Sequence, residues 1–126
     1  MYLDFIDEIN EYGDNIVRLY DFDSAEAKKF MKIVHETLVM NRKSLDLSTI
    51  NFIIARNCRL TLRIADEDEG ITTSDKMQFY CDLTIAGYEQ MIALLEQFCN
   101  KETKGYQFLY DIDSQTDFLF SPAGTW

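Results

Sequence analysis

The segment MQFYCDLTIAGYEQMIALLEQFC, residues 77–99, changes hydrophobic period once, and that change constrains the fold more than any other feature of the chain. Met77, Phe79, Cys81 and Leu83 alternate with Gln78, Tyr80 and Asp82, the period of two that a strand with one buried face requires. From Thr84 onward Ile85, Tyr88, Met91, Ile92, Leu95, Phe98 and Cys99 fall on one stripe of a helix. Thr84 stands at the junction, where its hydroxyl can accept a hydrogen bond from one of the first free N–H groups of that helix. A strand that runs directly into an amphipathic helix needs a sheet for the helix to cover, so the chain is expected to be an α+β protein.

The rest of the chain is read around this unit. Residues 2–12 place Tyr2, Phe5, Ile6, Ile9 and Tyr12 at helical spacing with Gly13 to end the turn, which predicts a short N-terminal helix. NIVRLYDF, residues 15–22, is β-branched and aromatic and reads as a strand, with Asp23 and Ser24 as a cap. A helix over residues 25–41 would put Ala27, Phe30, Met31, Val34 and Leu38 inside and Lys28, Lys29, Lys32 and Glu36 outside. Residues 41–49 are polar and read as a connection, and INFIIAR, residues 50–56, favours a strand over a short helix.

Leu60, Leu62 and Ile64 alternate with Arg59, Thr61 and Arg63, a second clear strand, with Asn57 and Cys58 as the hairpin turn before it. Residues 66–76 are too polar for anything but an exposed loop. Residues 106–110 and 117–120 form a closing hairpin in which Tyr106, Phe108, Tyr110, Phe118 and Phe120 can pair across strands, and Pro122 stops the last strand. Leaving out the first helix, the order is strand, helix, strand, strand, twice over, with Ser24 matching Thr84 and Met31 matching Met91. The expectation is one α+β domain over residues 1–126. It would have a mainly antiparallel sheet of about six strands, two longer helices on one face, and duplicated β-α-β-β units.

Charge narrows the function classes. With 22 Asp and Glu against 12 Lys and Arg, the net charge is -10. A field of that sign repels phosphate backbones and anionic lipids and attracts cationic proteins, so nucleic acid and membranes are not expected partners and a basic protein is. Cys58, Cys81 and Cys99 match no metal or redox spacing and are expected as reduced thiols, two of them in the core. The opening MYLDFIDEIN carries acids where a secretory signal needs basic residues, which makes the cytoplasm the expected location.

Four features are candidates for chemistry. If the strands holding Arg59 to Ile64 and Gln78 to Leu83 pair, the face away from the helices shows Arg59, Thr61, Arg63, Gln78, Tyr80 and Asp82, a mixture suited to a polar protein surface. The same face could pair with a second copy of the chain, or be an ordinary solvated face. Asp66, Glu67, Asp68 and Glu69 concentrate four acids beside Gly70, but the glycine stands at the fifth place and Met77 at the twelfth, so a calcium loop is not expected. This run reads as a solvated turn or a docking point for a basic partner.

His35, the one histidine, sits at the edge of an apolar stripe and reads as a packed boundary residue. Asp21 and Asp23 are the nearest approach to a carboxylate pair, although Asp23 is equally a helix cap. Trp126, the lone tryptophan, could seal its own core or anchor a partner. No phosphate loop or nucleophile elbow is present, and no catalytic residue, metal or cofactor is assigned. The expected function is a non-catalytic acidic protein-binding module, in the style of an immunity or antitoxin-like inhibitor. The alternatives are a small enzyme or ligand-binding domain with an acidic and aromatic cleft, and a structural homodimer.

Overall fold

A computed structural model describes residues 1–7, 15–102, 104–111 and 116–123. The α+β class holds, but the described residues form nine strands in two sheets rather than six in one. The strands are β1 (Tyr2–Ile6), β2 (Asn15–Tyr20), β3 (Leu45–Asp46), β4 (Ile54–Ala55), β5 (Arg59–Ile64), β6 (Gly70–Thr73), β7 (Gln78–Leu83), β8 (Gln107–Tyr110) and β9 (Thr116–Ser121). The helices are α1 (Ser24–Val34) and α2 (Ile85–Leu95).

The first sheet runs β4-β1-β2-β9-β8 and the second β3-β5-β7-β6. In each, two antiparallel pairs are joined through a parallel contact at the centre: β2 beside β9, with Val17 opposite Phe118, and β5 beside β7, with Leu60 opposite Phe79. The element order is therefore the same in the two halves of the chain. Each half is an antiparallel pair, a helix and a second antiparallel pair (β1-β2-α1-β3-β5, then β6-β7-α2-β8-β9), with β4 added to the first. The first pair of each half joins the second pair of the other. This replaces the strand-helix-strand-strand unit and the single sheet expected from the sequence, although four of the seven pairings among the described residues are antiparallel. Which strands lie side by side is a long-range matter that hydrophobic period does not encode.

The N-terminal helix is corrected to β1. Over Tyr2–Ile6, Leu3 and Phe5 point into the core, Phe5 meeting the Phe79 ring at 4.7 Å, while Asp4 points the other way onto Arg18. Five residues are too few for periodicity to separate helix from strand, and pairing with β2 decides it. The remainder of that expected helix and Gly13 lie outside the described residues.

Three further corrections follow from pairing. Asn57 and Cys58 do not turn a hairpin, because β4 joins β1 in parallel and Asn57 clasps the Phe5 backbone, accepting from its N–H at 2.8 Å and donating to its carbonyl at 3.0 Å. Residues 50–56 form only the two-residue β4. The polar run 66–76 is not all loop: β6 lies on β7, where Ile71 faces Cys81 and fills the core.

Both helices start where their caps put them. Asp23 accepts from the Glu26 N–H at 2.8 Å while Glu26 reaches back to the Asp23 N–H, a reciprocal box. Thr84 accepts from the Gly87 N–H at 3.0 Å. Beyond Val34 the first helix widens, the Asn41 N–H donating to the Glu36 carbonyl five residues back, so residues 35–40 are π-helical rather than α-helical.

A single core runs through both sheets and both helices. Phe22, Phe98 and Phe120 meet in it at ring separations of 4.0 to 5.9 Å, stacked or edge-on. Such pairs contribute about 0.5–1.5 kcal/mol each beyond area burial. Tyr88 is fully buried with its hydroxyl 2.6 Å from the Arg63 carbonyl and 2.7 Å from that of Cys81, so α2 is hydrogen-bonded to both central strands of the second sheet. Among the described residues no helix is long and apolar enough to cross a membrane.

Candidate functional site

The second sheet buries Leu60, Leu62, Phe79, Cys81 and Leu83, and strict alternation along β5 and β7 turns Arg59, Thr61, Arg63, Gln78, Tyr80 and Asp82 to its other face. Register sets Arg59 beside Gln78, Thr61 beside Tyr80, and Arg63 beside Asp82. The face predicted from the sequence is thus assembled, but its members differ in availability.

Arg63 grips Asp82 through two parallel bonds, Nε to Oδ1 at 2.7 Å and Nη2 to Oδ2 at 2.8 Å, and its guanidinium lies 3.9 Å over the Tyr80 ring. Hydrogen bonding to Asp82 raises the pKa of Arg63 above its ordinary value. Arg63 and Asp82 satisfy each other, and with the Tyr80 ring beneath the guanidinium they form a floor. The first sheet repeats the device: Arg18 takes Asp4 at 2.7 and 3.1 Å and lies 3.9 Å over Tyr20.

Past the Arg63 end of this face comes the acidic run. Asp68 is committed internally, since its Oδ1 accepts from the Thr84 N–H and hydroxyl and its carbonyl accepts from the Tyr110 hydroxyl at 3.3 Å. The Glu69 N–H donates to the Asp82 carbonyl at 2.9 Å, and the Ala65 N–H to that of Leu83 at 2.9 Å. Asp66, Glu67 and Glu69 are exposed, and among the described residues their carboxylates have no hydrogen-bond or ion-pair partner. Three free carboxylates thus stand on a backbone held at both ends.

The opposite end, where β5 and β7 begin, is cationic. A cleft of about 560 Å³ opens there, with Arg56 and Arg59 on its walls and Cys58 and Asn57 between them. Burial, with the nearby Asp4 charge second, pushes the Cys58 thiol up to about 12, so it is a poor nucleophile at neutral pH. Burial does the same to Cys81, also to about 12, and raises Cys99. Hydrophobic period does not reveal this cleft, because residues 50–56 read as a strand and Asn57 and Cys58 as a turn. Two arginines three positions apart were its visible signal. Met77, expected on the core face, is instead 66% exposed at the cleft's rim, since β7 begins only at Gln78.

His35 is exposed on the π-helical turn, beside Lys28, Lys32 and Glu96 around a hollow of about 400 Å³. Asp23 is taken up by its capping box, and Asp21 has a left-handed backbone at φ 59° just before it. Among the described residues no group of three or more His, Cys, Asp or Glu side chains could hold a metal ion. Trp126 lies outside the described residues. No protein-family model matches the chain, and searches of curated proteins and of solved structures find no match.

Proposed function

We propose that the chain is a non-catalytic binding module that presents the acidic end of its second sheet to a basic protein, as an immunity or antitoxin-like inhibitor does when it masks a cationic site. One observation carries this reading: Asp66, Glu67 and Glu69 stand free while the backbone beneath them is pinned through Asp68 and the Asp82 carbonyl. Ordered charges lose less entropy on docking than charges on a loose loop. The Arg63–Asp82–Tyr80 floor adds a flat, half-exposed surface beside them. A net charge of -10 would steer a cationic partner and make association fast and salt-sensitive.

The test is affinity capture from the source cell at low salt. A basic protein should be retained by the native chain, released as salt rises, and lost when Asp66→Asn, Glu67→Gln and Glu69→Gln are combined. Retention of no basic protein, or equal retention by the triple variant, sinks the reading.

A further inference from the structure

The arginines of this chain divide in two at the sheets. Arg18 and Arg63 are each neutralised by a bidentate aspartate, whereas Arg56 and Arg59, which share the walls of one cleft, have no carboxylate partner among the described residues. In a chain with almost twice as many acids as bases, carboxylates are not scarce. Two acids lie two residues before cleft-lining positions, Asp46 before Ser48 and Asp75 before Met77, and both are occupied elsewhere. Asp46 accepts from the Ser48 N–H and hydroxyl at 2.9 and 2.7 Å, and Asp75 accepts from the Met77 and Gln78 N–H groups, both at 2.9 Å. The Arg56 backbone N–H donates to the Leu3 carbonyl at 2.9 Å, while its guanidinium lies 5.3 Å from the Tyr2 ring and, among the described residues, none of its five N–H donors is taken by a hydrogen bond.

The cleft also has an apolar side. Met77 is 66% exposed and Ala55 lines the same wall, while Ile54, next along β4, is 55% exposed. A volume of about 560 Å³ falls within the range of small-molecule sites, which combine apolar walls with a few polar groups.

We propose that this cleft binds a small oxyanion carried on a compact apolar group, such as an aryl or alkyl phosphate or carboxylate, with Arg56 and Arg59 holding the anion and Met77 and Ala55 covering the apolar part. The forked guanidinium suits a phosphate or carboxylate oxygen pair better than a lysine would. The overall negative field disfavours anions elsewhere, so two unneutralised arginines make this end selective. The site is separate from the acidic run, at the other end of β5, about 16 Å along the strand.

The probe is phenyl phosphate, followed by backbone amide shifts in the full chain. Saturable shifts are expected at Asn57, Arg59 and Gln78. Arg56→Gln and Arg59→Gln should each weaken binding by about tenfold, and the pair should abolish it. Both residues are exposed, so matching thermal melts will show that the variants fold. Lys29→Gln with Lys32→Gln, on the exposed face of α1, should leave binding unchanged. Phenol alone should not bind, and inorganic phosphate should bind more weakly than phenyl phosphate. Absence of saturable shifts at millimolar probe, arginine variants that bind normally, loss of binding in the lysine variant, or phenol binding as well as its phosphate each overturn the proposal. Inorganic phosphate binding as tightly as the ester overturns its apolar half.

Discussion

Asp68 and Thr84 form one unit: the Asp68 Oδ1 takes both the N–H of Thr84, at 2.8 Å, and its hydroxyl hydrogen, at 2.9 Å, while the same hydroxyl oxygen accepts from the Gly87 N–H. The cap of α2 is therefore itself capped, by a carboxylate at the positive end of the helix. Asp68→Ala should cost about 1–2 kcal/mol. Asp66→Ala should stay within about 0.5 kcal/mol, because its side chain has no partner to lose. Urea unfolding of the two variants checks the contrast, and equal midpoints would remove the distinction between the tied acid and its free neighbours.

Gly87 stands in the first turn of α2, where its neighbours leave no room for a side chain. A Cβ there would stand 2.6 Å from Asp68 Oδ1 and 3.1 Å from Leu83 Cβ. Alanine ordinarily stabilises a helix interior over glycine by about 0.5–1 kcal/mol. Here Gly87→Ala should destabilise the native chain, and its effect should move toward stabilisation once Asp68→Ala has cleared the space. The double-mutant cycle should show coupling of at least about 0.5 kcal/mol. A cost that is the same in both backgrounds would mean that Leu83, not Asp68, sets the limit.

The Arg63–Asp82 pair is unequal in exposure, with side chains 42% and 12% accessible. Arg63→Ala strands a nearly buried carboxylate, so it should cost about 2–3 kcal/mol. Asp82→Ala leaves an arginine that can turn to water over Tyr80 and should cost about 1 kcal/mol. Removing both should cost less than the sum of the two. Chemical denaturation of the three variants is the measurement, and equal single costs would refute the asymmetry.

Asp75 supplies a pH signature. The backbone N–H groups of Gln78 and Met77 donate to its carboxylate and hold its pKa below 3.8. A value lowered by folding contributes stability above the unfolded pKa, and that contribution is lost as pH falls through the folded one. Asp75→Ala should therefore be less stable than the native chain at about pH 7, with the gap closing only below about pH 4. Melting temperatures from neutral to acid pH decide it, since a gap that does not narrow as pH falls cannot come from the ionised carboxylate.

Local chemistry made parts of this molecule legible. Asp23 before α1, Thr84 between β7 and α2, and the hairpin whose Tyr110 opposes Phe118 could each be read because caps and periods belong to a few neighbouring residues. The face with Arg63, Tyr80 and Asp82 was readable for the same reason, as alternation alone turns those side chains together. That they lock one another, leaving Asp66, Glu67 and Glu69 as the free groups, depended on distances no spacing contains.

By itself, then, the sequence determined where α2 begins, which side chains of β5 and β7 share a face, and the sign of the surface charge. These follow from backbone period, capping and composition, all local or additive. Only the tertiary structure decided that Tyr2–Ile6 is a strand, that β2 lies beside β9 and β5 beside β7, and that Arg56 and Arg59 share a cleft. Short segments take the conformation their partners allow, and the choice of partner is settled by burying one common core.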